Sequence, residues 1–203
     1  MFESDFIERF SRIHPATPFV FWLPVLAFIV VRNFTGAVGN GSDVAVMPFV
    51  GLVAGGVLFW SLAEYVLHKY VFHFQRDTSI GRRFHFLVHG VHHDYPNDRD
   101  RLVMPLGASI PMGALFFLLF IATMGKFAMP FFVGFGIGYL TYDGTHFALH
   151  HFKMTGPVGK YLKKHHMLHH HMDHSGGFGV SSPLWDLVFR TMPQPKKRGA
   201  KSE

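Results

Sequence analysis

Ten of the sixteen histidines in this 203-residue chain fall into four short clusters. They are His68 with His73, His89 with His92 and His93, His146 with His150, and His166 with His169 and His170. Imidazole is a nitrogen donor suited to iron, copper, zinc and nickel alike. Ten such donors are about twice what one ion takes, so the chemistry they point to is a two-metal centre. Each ion would have about five nitrogens and a position left for oxygen or water. A lone histidine near a membrane surface is ordinarily a polar side chain in a comfortable place. That reading does not account for four clusters, two of them of the rarer His-x2-His-His form.

Residues i, i+3 and i+4 share one face of an α-helix. His89, His92 and His93 are therefore expected to point one way, as are His166, His169 and His170, and His146 with His150. His68 and His73 lie about 140° apart on an ideal helix. A helix carrying both must bend or end between them, or offer ligands from two sides. The chain has no cysteine, which excludes disulfides, thiolate zinc sites and Cys-ligated iron–sulfur clusters. Catalytic zinc usually has three protein ligands and an open position, a poor match to ten histidines, so two irons able to activate dioxygen fit better. Few carboxylates lie near the clusters. Glu64, Asp94, Asp143 and Asp173 are expected to accept an imidazole N–H and fix its tautomer. Asp143, preceded by Tyr142 and three residues before His146, is the strongest of these, whereas Glu64 and Asp173 read equally well as solvated surface groups. Of the other histidines, His85 is the strongest candidate for an extra ligand and His14 reads as interfacial. His151 points about 100° away from His150. His165, His171 and His174 are assigned to headgroup contacts or outer partners.

Each cluster sits just beyond a long apolar segment. The hydrophobic fraction is 49% and the mean hydropathy +0.20. Four segments read as membrane spans: Pro18 to Val31, Val44 to Val66, Leu102 to Met124 and Phe127 to His150. The first is short for a crossing of about 20 residues and must tilt, thin the bilayer or extend into its flanks. Gly55-Gly56 and the series Gly134, Gly136, Gly138 suit close helix packing, and Gly125-Lys126 suits a tight hairpin. Seventeen of the nineteen basic residues fall on one side of these four crossings, and only Arg32 and Lys126 on the other. The positive-inside rule places that side, and all four clusters, in the cytoplasm. The expected fold is an all-α membrane protein of four transmembrane helices with a cytosolic helical cap carrying the dimetal site. Residues 1–192 form one membrane domain and 193–203 a disordered basic tail. The start, MFESDFIERFSRIHPATP, lacks the basic region of a signal peptide and reads as a short interfacial helix. The net charge of +6 comes from residues flanking apolar blocks, which suits anionic headgroups and not nucleic acid.

The cluster spacings, with the segment Phe178-Gly-Val-Ser-Ser-Pro-Leu-Trp-Asp-Leu-Val-Phe-Arg-Thr191, resemble the fatty acid hydroxylase / sterol desaturase superfamily. Within it, His85-Phe-Leu-Val-His-Gly-Val-His-His93, Arg101-Leu-Val-Met-Pro105 and Tyr161-Leu-Lys-Lys-His-His-Met-Leu-His-His170 are most similar to fatty acid 2-hydroxylases acting on sphingolipid acyl chains. The resemblance covers roughly residues 60 to 192 of the chain. It implies that the ten clustered histidines are the metal ligands, with His85 and His151 outside the set. It also implies a membrane monooxygenase using two irons (zinc can replace them on purification), O2 and external electrons to hydroxylate a fatty acid or ceramide acyl chain at C2. Fungal and animal members often carry a fused haem domain. None is evident here, so a separate haem or iron–sulfur carrier is expected to supply electrons. The enzyme would sit in a bacterial inner membrane or a eukaryotic endoplasmic reticulum. The rival readings are a sterol or carotenoid hydroxylase or desaturase of the same superfamily and, from another class, a metal transporter. Transporters place histidines at mid-span along a pathway, not beyond the span ends on one side.

Overall fold

The computed structural model describes residues 12–35, 44–74 and 77–195. The interfacial helix expected at the N-terminus falls largely outside these residues, as does most of the tail. Pro193 is buried, and the Gln194 amide donates to Asp173 at 3.0 Å. Any tail therefore begins later than Pro193. Among the described residues every regular element is helical. The α-helices are α1 (Thr17–Thr35), α2 (Val46–Leu67), α3 (Ser79–His85), α4 (Val91–Asp94), α5 (Leu106–Met124), α6 (Ala128–His151), α7 (Pro157–His171) and α8 (Leu184–Val188). Two π-helical turns, His68–Phe72 and Phe86–Gly90, directly follow α2 and α3.

Three stretches are long and apolar enough to cross a membrane: Thr17–Thr35, Val46–Phe72 and Arg99–His151. The first is longer than the expected 14-residue segment because α1 runs through Pro24 to Thr35. An interior proline breaks one backbone bond, a loss that membrane helices tolerate. The third stretch, 53 residues, is interrupted at Gly125, whose φ of 55° lies in the region that glycine adopts without strain. Phe120 meets Phe131 with ring centroids 4.9 Å apart, and Phe116 meets Phe135 at 4.7 Å. Numbers that rise on one helix as they fall on the other mark an antiparallel pair, so α5 and α6 fold back as a hairpin.

The chain divides into two compact units, one of residues 1–61 with 98–147, the other of residues 62–97 with 148–203. The first unit is packed by shape. A Cβ added at Gly134 would lie 1.9 Å from the Val53 carbonyl oxygen, and one at Gly56 2.1 Å from that of Phe131. Backbone thus meets backbone where α2 and α6 touch. Around this contact Phe59 packs edge to face on Phe116 and Phe120 and tilted on Phe135, and Trp60 packs on Tyr139. Val20, Leu23 and Phe28 of α1 and Leu115 and Leu118 of α5 remain exposed. Exposed apolar side chains on helices long and apolar enough to cross a membrane suit a lipid surrounding. The second unit holds α3, α4, α7, α8 and both π turns, and its interior is polar: Glu64, His68, His89, His92, His165, His166, His169, His170 and Asp186 are all buried.

Candidate metal centre

The π turns solve the spacing problem at His68 and His73. The amide of His73 donates to the carbonyl of His68 at 3.1 Å, an i to i+5 bond. A turn closed in this way returns residues five apart to one face. The second π turn ends at Gly90 and delivers His89, with α4 carrying His92 and His93 immediately after. On α7, His166, His169 and His170 are all buried. Nine of the ten clustered histidines thus belong to the second unit. The tenth, His146, lies on α6 one turn before His150 and on the same face.

Two groups result. His68, His73, His89, His93 and His169 bring one ring nitrogen each to within 4.8 Å of all the others, and so do His92, His150, His166 and His170. The sequence clusters do not map onto these groups. His89 and His93, four apart, join the first group, while His92 between them joins the second. Likewise His166 and His170 join the second and His169 the first. The expectation that each triplet points one way is corrected accordingly. The i, i+4 members share a face, and the i+3 member lies far enough round the helix to serve the neighbouring group.

The rings present Nε2 to one another. In the first group, Nε2 of His68 is 3.0 Å from that of His89 and 3.3 Å from that of His73. His73 is 3.0 Å from His169, and His93 3.0 Å from His89. In the second, His92 is 3.0 Å from His170 and His150 is 2.9 Å from His166. Nitrogens about 2.0–2.1 Å from a common ion stand roughly 2.9–3.4 Å apart along a coordination edge. The donor set therefore fits a transition-metal ion.

Tautomers and charge agree with this. Nδ1 of His68 is 2.6 Å from the Phe178 carbonyl oxygen, and Nδ1 of His169 is 2.7 Å from that of Gly176. A carbonyl only accepts, so Nδ1 carries the proton and Nε2 keeps its lone pair. His73 Nε2, between the lone pairs of His68 and His169, can satisfy only one of them. Extra protons do not resolve the crowding. Burial, reinforced by neighbouring imidazoles, holds His73 down at about 3 from an ordinary 6.5. Burial also lowers His169 to about 4, against the opposing effect of its bond to Gly176. His89, His92 and His93 are lowered as well, by burial first and by other histidines second. Such lone pairs call for a metal cation.

The carboxylates behave differently from expectation. Asp143 Oδ1 accepts the Met104 amide at 3.3 Å and has no imidazole partner among the described residues, because α6 turns it toward the residues before α5. Tyr142 packs its ring 5.6 Å from that of His146. Glu64 is buried, not solvated. Its Oε1 accepts the amides of Val180 and Ser181 at 2.6 and 2.8 Å, and its Oε2 accepts the Ser181 hydroxyl. Asp173 accepts from Ser175 and Gln194, and Asp94 is exposed. For His68 and His169 it is a backbone carbonyl, not a carboxylate, that takes the imidazole N–H. The residue that sequence reasoning passed over is Asp186, fully buried in the 178–191 segment. Hydrogen bonds from His165, Gly179, Thr191 and Phe178 outweigh the effect of its burial and hold its carboxyl below the usual range. A single acid inside the apolar run Leu-Trp-Asp-Leu-Val was the available signal.

The remaining histidines stand outside both groups. His85 packs its ring 6.4 Å from that of His73. His165 is buried against Asp186 at 3.1 Å, not at headgroups. His174 lies 5.3 Å from the His93 ring, His171 is exposed, and His14 accepts the Ala16 amide.

A family model described as fatty acid hydroxylase matches residues 53–191. A dihydroceramide fatty acyl 2-hydroxylase of Arabidopsis thaliana is 39% identical over 96% of this chain and 80% of its own length. A ceramide very long chain fatty acid hydroxylase of Saccharomyces cerevisiae is 37% identical over 95% of the chain, which spans about half (49%) of that larger protein. Among solved structures, the hydroxylase domain visible in full-length scs7p superposes with a TM-score of 0.85 at 35% identity, covering 97% of this chain and 73% of that one.

Proposed function

Because this chain belongs to the fatty acid hydroxylase family, we propose that it is a di-iron monooxygenase acting at C2 of a fatty acid or ceramide acyl chain. One observation carries the reading: two adjacent groups of buried and half-buried imidazoles turn their Nε2 atoms inward at coordination-edge spacing. The first iron is assigned to His68, His73, His89, His93 and His169. The second is assigned to His92, His150, His166 and His170, with His146 from the preceding turn of α6. When bound, the irons supply the oxidising power that an unactivated C–H bond requires, which no amino-acid acid or base provides.

The protein's part is to hold the ligands, exclude water and fix the lipid's register. Which carbon reacts follows from how far the polar head is held from the metals. Four crossings, by α1, α2, α5 and α6, with seventeen of nineteen basic residues on one side, support a cytoplasmic metal site. Electrons are assigned to a separate haem or iron–sulfur carrier. The names of the relatives, which specify dihydroceramide and ceramide, support a sphingolipid acyl chain as substrate.

The test is lipid analysis of cells expressing the protein, beside metal analysis of anaerobically purified material. 2-Hydroxy acyl chains and two irons per chain are the expected results. Altered sterols or carotenoids without 2-hydroxy acids would overturn the substrate assignment, and transport of metal into vesicles without lipid turnover would overturn the enzyme mechanism.

A further inference from the structure

Asp186 makes no contact with either histidine group that would allow it to bind metal. Its two oxygens are nevertheless fully engaged. Oδ1 accepts the Phe178 amide at 3.0 Å and the Thr191 hydroxyl at 2.8 Å, and Oδ2 accepts the Gly179 amide at 2.8 Å and His165 Nε2 at 3.1 Å. Its own carbonyl takes the Thr191 amide at 2.8 Å.

Two peptide groups in this network share one arrangement. The Phe178–Gly179 peptide gives its N–H to Asp186 and receives the His68 Nδ1–H on its carbonyl. The Gly176–Gly177 peptide gives its N–H to the Thr191 carbonyl at 2.8 Å and receives the His169 Nδ1–H on its own. Thr191 is in turn held to Asp186 by both its amide and its hydroxyl. Hydrogen bonds in series polarise one another. At Phe178–Gly179 the anion on the N–H side makes the carbonyl on the far side a stronger acceptor, and the imidazole beyond it a stronger metal donor. At Gly176–Gly177 Asp186 acts instead by holding Thr191, whose neutral carbonyl takes the N–H. Both peptides serve the first group only.

We propose that Asp186 is the positioning residue of the first metal site, acting on His68 through one peptide group and on His169 through a second. The inference rests on the two-iron reading given above. Outer partners of metal-binding histidines typically change metal affinity by about 10–100-fold when removed. Asp186→Asn keeps an acceptor for Phe178 and Thr191 but removes the charge and the acceptor facing Gly179.

The test is a chelator titration of the full-length protein in detergent after loading with iron-57, followed by Mössbauer spectroscopy. In D186N, half the iron should leave at a chelator concentration about 10–100-fold lower than in wild type, and the other half should leave as in wild type. D186A should show the same split with a larger displacement. If D186A yields no folded protein, D186N decides alone. Release of both irons together would mean that Asp186 only braces the fold, and release unchanged from wild type would mean that it has no bearing on the metals. Either result overturns the proposal and leaves the two-iron reading intact. Wild-type protein that saturates below two irons would overturn both.

Discussion

The two compact units are built on opposite terms. In the first, backbone touches backbone at Gly56 and Gly134, and phenylalanines fill the space around that contact. In the second, buried imidazoles and carboxylates occupy the interior, and nearly every one is held by a named partner. A unit packed by shape is sensitive first to volume, although this one also buries Arg101 and Asp143. A unit packed by polar groups is sensitive to charge, metal and pH, and tolerates little change in donor geometry.

The sharpest way to separate the two is ligand removal. His169→Ala in the first group and His92→Ala in the second should each lower 2-hydroxylated product by more than about 100-fold, beyond what loss of an outer partner costs. Membrane insertion should be unchanged. Either variant with wild-type turnover would break the assignment of that residue to a metal. Gly134→Ala should give the reverse pattern. Its Cβ meets the Val53 backbone at 1.9 Å, and overpacking of this kind costs about 1–3 kcal/mol. Thermal unfolding in detergent should shift downward, while the iron held per folded chain stays at the wild-type value.

Protons should discriminate as well. In chelated protein, His73 at about 3 and His169 at about 4 lie below their unfolded value near 6.5. The unfolded chain then binds more protons than the native one, so stability is full above about pH 6.5 and is lost as pH falls through this window toward 3. Denaturant titrations of the chelated protein at pH 7 and pH 5 would measure this. Loaded with metal, the protein should hold its stability to lower pH, until protons compete the ligands away. The smallest effect is expected from His85→Ala. Although this ring neighbours His73, the iron count should stay at two, and stability should move by no more than about 0.5 kcal/mol.

Much of this was legible in the chain. Four runs of apolar residues give the long helices, since a run of that length with so few charges suits a helix that is apolar on all sides. The histidine count and spacing point to the two groups, because chance seldom places ten imidazoles in this way. Other features are hidden for physical reasons. The segment His-Lys-Tyr-Val-Phe has no composition that marks a π turn; tertiary packing of His68 selects it. The division of His89 and His93 from His92 depends on a second group lying alongside the first, which a single helical face cannot reveal. Asp143 stands three residues before His146, and that spacing suggested a bond to imidazole. Its carboxylate instead turns to the Met104 amide. Asp186 is concealed by apolar neighbours that form α8 around it.

The π turn at His68–Phe72 has a bearing on attempts to transplant this centre. Two donors five positions apart suit a helix carrying one surplus residue, so copying the same letters onto an idealised bundle would splay the pair apart. A designer would have to shorten the interval by one position, or preserve the irregular winding. By the same logic, a one-codon deletion between the two histidines should relax the turn to ordinary winding and leave the pair on one face, whereas an insertion there should splay them.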